Sequence, residues 1–216
     1  MAIGIHEVVN YSHVAVGSLA LAGSALALGS SKGSSLHVRG GKLFAWMMLL
    51  VVLTTAVQMT FEFLPLAIIM CLAEAYLIPS AILAFHRDWA GFRAVSWALA
   101  VLAGLLCLFT LVQLVRLNLV GDTLFIGPGV LALMFGFLLY QDFGMLRNSA
   151  DRSGNYWVRR HLIRMILAFT FAVMALIRIG IQVGLTLEQT VIYPLLAAAV
   201  TIFLVCRRYS DGAAPA

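Results

Sequence analysis

Six polar side chains sit where a chain this apolar should carry none: His13, Gln58, Glu74, Gln113, Arg178 and Gln182 each fall within or at the end of a long apolar run. A guanidinium in hydrocarbon costs from about 3 kcal/mol on insertion scales to far more in simulations, so it is kept only where a partner or a watery cavity receives it. Glu74 and Arg178 are the natural pair, because at about 1.5 Å of rise per residue their depths differ by only about 5 Å. With His13 as the third member, Arg178 would hold negative charge while Glu74 and His13 handle protons. The plainer reading, a structural ion pair plus interhelical hydrogen bonds, stays open beside it.

A second set, His37, His86, Asp142 and His161, lies at the opposite span boundaries, together with Arg164. Imidazole and carboxylate suit zinc or iron, and the histidines could equally be axial ligands of a b-type haem. Each histidine abuts arginines, so the plainer reading is a basic rim facing phospholipid. No phosphate-cradling glycine loop, nucleophile elbow or HExxH occurs, and the sequence assigns no catalytic residue.

The elements that must position these residues are helices in a bilayer. With 62% hydrophobic and 11% charged residues over 216 positions, and a mean hydropathy of +1.01, the chain is expected to be an all-α, polytopic membrane protein. The expected spans are 8–29, 43–60, 66–86, 95–115, 123–141, 156–182 and 189–206: a seven-transmembrane-helix bundle forming one domain over 1–208, with a flexible tail at 209–216. Loops are expected at 30–42 and 143–157, a kink near Ala75 from Pro79, and a bend at the glycine–proline–glycine of 127–129.

In the sixth span, His161, Arg164, Ala168, Phe171, Ala175, Arg178 and Gln182 recur at spacings of three or four and are expected to share one inward face. In the first, Gly17, Ala20, Ser24 and Ala27 form a small-residue stripe suited to close helix packing or to a partner subunit. Trp46, Trp89, Trp97 and Trp157 read as an aromatic belt, and Cys71, Cys107 and Cys206 as packing residues. The opening MAIGIHEVV lacks a basic n-region, so the first span is expected to stay in the mature protein. Placing the N-terminus outside and the C-terminus inside sends nearly all loop arginines and lysines to the cytoplasm, leaving Arg116 in an outer loop. The net charge of +5 therefore reads as topology rather than as affinity for nucleic acid.

Two stretches carry a resemblance. His13 and Gly17, followed by Leu36, His37, Arg39, Gly41, Lys42 and Phe44, and then Arg160, His161, Leu162, Arg164 and Met165 with Asp142 before and Arg178 after, resemble a family of bacterial inner-membrane proteins catalogued as a domain of unknown function. Val38 and Gly40 depart from the expected basic and large apolar residues. The resemblance implies a multi-helix protein of the bacterial inner membrane and no mechanism. LHVRGGKLFAWMMLL is also weakly similar to the helix start of transmembrane b-type cytochromes. The sequence thus supports a protein that binds or translocates a small, anionic or amphipathic solute in a polar cavity. The alternatives are a haem b redox protein and a noncatalytic accessory subunit using the small-residue face of the first span. Whether it is an enzyme is left open.

Overall fold

The computed structural model describes residues 4–62, 65–148, 153–181 and 184–209. Among them there is no strand. Seven helices are each long and apolar enough to cross a membrane, as a multi-pass membrane protein requires: α1 (Ile5–Gly29), α2 (Ser35–Gln58), α3 (Pro65–Leu83), α4 (Phe92–Leu119), α5 (Ile126–Arg147), α6 (Gly154–Ala175) and α7 (Leu187–Cys206). Short 3-10 turns cover Thr123–Phe125 and Arg207–Tyr209, and a π-turn, Leu176–Ile181, extends α6. Gln182 and the tail from Ser210 onward lie outside the described residues.

Helix starts follow local chemistry that hydropathy alone understates. Ser34 accepts a hydrogen bond from the His37 backbone at 3.2 Å and caps α2, so His37, Arg39, Gly40 and Lys42 are helical, where a loop over 30–42 was expected. Ser153 caps α6 in the same way, and α5 runs on to Arg147, which shortens the expected 143–157 loop at both ends. Thr186 and Gln189 form a reciprocal capping box on α7. The glycine–proline–glycine of 127–129 occupies the first turn of α5, where proline's missing N–H costs nothing. Gly121, at φ 71°, makes the turn after α4 that a side-chain-bearing residue would strain.

The chain divides into two compact units, Met1–Ala75 and Tyr76–Ala216. The division falls at the residue whose carbonyl Pro79 deprives of its donor, four positions back within α3. In the first unit α1 and α2 form an antiparallel hairpin whose backbones nearly touch. A Cβ on Gly23 would lie 2.7 Å from the Phe44 nitrogen, and one on Gly40 would lie 2.7 Å from both the Ala27 nitrogen and the Gly23 oxygen. Ala20, Gly23 and Ser24 are buried, so α2 covers the centre of the small-residue face of α1. In the second unit α4 packs on α5, with Cys107 Sγ 3.7 Å from the Ala132 carbonyl oxygen and a Cβ on Gly136 3.8 Å from the same sulfur. Trp157 is 2% exposed within a cluster of Ala84, Ala100, Met145 and Leu146, and so belongs to the core rather than to the aromatic belt expected of it. Trp46, Trp89 and Trp97 are exposed.

Candidate functional site

In the second unit the side chains of α3, α5 and α6 converge on one carboxylate. Asp142 Oδ1 is 2.7 Å from Arg160 Nη2 and 2.5 Å from Arg164 Nη2, while Tyr76 donates its hydroxyl to Oδ2 at 2.7 Å. Ser80 Oγ accepts from Arg164 Nε at 2.6 Å and from Arg160 Nη2 at 3.2 Å, and Gln141 Oε1 accepts from Arg164 Nη1 at 3.0 Å. Tyr76, Asp142 and Arg164 are at most 1% exposed and Arg160 is 5% exposed.

The local sequence explains the convergence. Tyr76 and Ser80 are four apart on α3, and Arg160 and Arg164 four apart on α6, so each pair shares a helix face. Two like charges at that spacing disfavour an isolated helix. Asp142, near the end of α5, supplies the anion that lets both turn inward.

The cluster is donor-rich. Two guanidiniums face one carboxylate, which leaves one positive charge in excess, solvated only by neutral oxygens. Asp142 already accepts from three donors and Ser80 from two. Arg160 Nη1 and Trp157 Nε1 remain buried without an acceptor among the described residues. Guanidinium stays charged, so the arrangement suits holding an anion rather than shuttling protons.

The residues expected from the sequence are distributed differently. The buried face of α6 follows Trp157, Arg160, Arg164, Leu167, Phe171 and Met174. Arg164, Ala168 and Phe171 lie inward as expected, His161 and Ala175 sit at the margin, and Arg178 is exposed. The reason is the π-turn: its wider i→i+5 winding breaks the 3.6-residue period before Arg178, carrying that side chain off the inward face.

In the first unit, His13 Nδ1 lies 3.0 Å from Thr54 Oγ1 and 3.4 Å from Thr55 Oγ1, and Gln58 Nε2 donates to Asn10 Oδ1 at 2.8 Å, so both link α1 to α2. Glu74 is buried, and neither carboxyl oxygen has a hydrogen-bond partner among the described residues.

The three histidines each turn Nδ1 to a main-chain carbonyl: His37 to Ala27 at 2.9 Å, His86 to Ile82 at 3.0 Å and His161 to Ala81 at 3.1 Å. Asp142, expected beside them as a ligand, is instead occupied by the two arginines, which bind it because they are the nearest full charges on the facing helix. Among the described residues no three His, Cys, Asp or Glu side chains gather closely enough to share a metal ion. Sequence reasoning put Arg164 on the inward face of the sixth span, read Arg160 as a cytoplasmic topology residue, and gave Tyr76, Ser80 and Gln141 no part in a site. The four-residue spacing of like charges was the signal available.

Comparison of the chain with family models, with curated proteins and with solved structures returned no match.

Proposed function

We propose that this protein binds, and carries within or across a bilayer, a small anionic or amphipathic solute, and that the Tyr76–Asp142–Arg160–Arg164 cluster is its polar centre. One observation carries the reading: a buried pair of arginines shares a single carboxylate, leaving positive charge in a place where membrane proteins keep charge only for a reason. A cluster built for stability alone would balance its charges. Relative to the sequence reading, the anion-holding role moves from Arg178 to Arg160 and Arg164.

The wider setting is proposed with it: an N-terminus outside, a C-terminus inside, the bacterial inner membrane, and kinship with the uncharacterised family that the helix-start motifs resemble. In a background lacking the native cysteines, a cysteine at Ser31 should react with a membrane-impermeant maleimide only after the membrane is opened. Reaction in intact cells would reverse the orientation.

The function is tested by thermal unfolding of the detergent-purified protein against a panel of carboxylates, phosphates, amphipathic anions and neutral solutes. A genuine solute at one hundred times its Kd should stabilise by about 2.7 kcal/mol, a shift of several degrees. Arg164→Gln should abolish that shift. Absence of stabilisation by any member would remove the reading.

A further inference from the structure

We infer that the α6 face bearing Trp157 and Arg160 binds an oxyanion, the phosphate or carboxylate group of a free solute or of a lipid headgroup, through the indole Nε1–H and the guanidinium Nη1–H. This rests on the solute-binding reading above and gives it a ligand class.

Both donors are withdrawn from solvent, Trp157 being 2% and Arg160 5% exposed, and neither Nε1 nor Nη1 meets an acceptor among the described residues. Native proteins leave few such groups unpaired, so two on one helix call for an occupant. They are three residues apart, which puts their Cβ atoms about 5–6 Å apart on the same face, within reach of two oxygens of one oxyanion.

The side-chain oxygens around the pair are engaged elsewhere: Asp142, Ser80 and Gln141 accept from the arginines or from Tyr76, and Tyr156, whose ring lies 5.3 Å from that of Trp157, donates its hydroxyl to the Gln141 carbonyl at 3.5 Å. The buried neighbours Ala84, Ala100, Met145 and Leu146 carry no side-chain oxygen. The charge agrees with the hydrogen bonding, since the spare donor on Arg160 belongs to the cluster that holds one positive charge in excess. A third cation stands on the solvent-exposed side of the pair. Arg87 is exposed and its guanidinium lies 5.1 Å from the centre of the Trp157 ring. An anion arriving there meets Arg87 first, and displacing that flexible side chain uncovers the indole.

The experiment uses the full-length protein, stripped of lipid by detergent exchange, and follows thermal unfolding against inorganic phosphate, acetate, and vesicles of phosphatidic acid with phosphatidylcholine vesicles as reference. The expected result is saturable stabilisation by at least one of the three anionic probes. Stabilisation by phosphate or acetate identifies a free solute, and stabilisation by phosphatidic acid alone identifies a lipid headgroup.

Trp157→Phe keeps an aromatic ring in the core but removes the N–H together with part of the indole, so its ligand-free Tm should fall and each variant's ligand response is read against its own ligand-free Tm. Its apparent affinity should weaken about tenfold, as loss of a hydrogen bond to a charged group predicts. Arg160→Lys, which keeps the charge but not the fork, should weaken it further. Equal affinity in wild type and Trp157→Phe would place any bound anion elsewhere and overturn the inference. A response to a neutral solute but to no oxyanion would overturn it while the solute-binding reading stands. A response to nothing would overturn both.

Discussion

Asp142→Asn should lower stability by about 3–5 kcal/mol, because it removes the one carboxylate between two buried guanidiniums and leaves both uncompensated. For a chain of this length that corresponds to a fall in Tm of about 6–20 °C in a detergent melt. Tyr76→Phe, which removes a single donor to the same carboxylate, should cost only about 1 kcal/mol.

The informative comparison is a fourfold variant, Tyr76→Phe with Asp142→Leu, Arg160→Met and Arg164→Met. Replacing a whole buried ionic group by apolar side chains of similar size is often neutral or stabilising, so this variant should regain most of what Asp142→Asn loses. If the cluster is a binding centre, the stable fourfold variant will have lost every response to anionic solutes. A fourfold variant that still responds would reduce the cluster to scaffolding.

Gly23→Ala and Gly40→Ala should each destabilise the α1–α2 hairpin by about 1–3 kcal/mol or more, because the new methyl meets backbone rather than a side chain that can turn away. The double variant should fall short of the sum, since both methyls force apart the same crossing. Gly41→Ala is the control. It lies in the same helix with nothing within 4 Å of its added Cβ, and should stabilise by about 0.5–1 kcal/mol through helix propensity. Amide hydrogen exchange in α1 and α2 reports the result on the hairpin itself. Equal behaviour of the Gly40 and Gly41 variants would contradict the close crossing.

The number of helices was legible because hydropathy over about 20 residues is a strong signal that needs no knowledge of tertiary structure. Helix ends were less so. Ser34 and Ser153 set the starts of α2 and α6 through single hydrogen bonds, and polar residues around them resemble a loop until the cap is recognised. The inward face of α6 was legible from Arg164 to Phe171 and lost at Arg178, since a change of winding leaves no mark in a 3.6-residue pattern. The cluster itself was hidden for a different reason. Arginines next to a span boundary ordinarily report topology, and only the positions of Asp142, 18 and 22 residues away from Arg160 and Arg164 along the chain, turn them into an internal site. Nothing local to α6 names that partner.

The two polar networks also differ in when they can form during synthesis. His13, Asn10, Thr54, Thr55 and Gln58 satisfy one another inside a single hairpin, so α1 and α2 can leave the translocon together with those side chains already bonded. Asp142 has no such companion on its own helix. Arg164 follows it by 22 residues, which at about 5–20 residues per second is a wait of about 1–4 s. For that interval α5 carries an unmatched carboxyl near its trailing end, where it is best kept at the aqueous face until α6 arrives. In a bilayer, assembly of the second unit would then be ordered by charge, with the docking of α5 completed by the arrival of the arginines rather than by its own hydrophobicity.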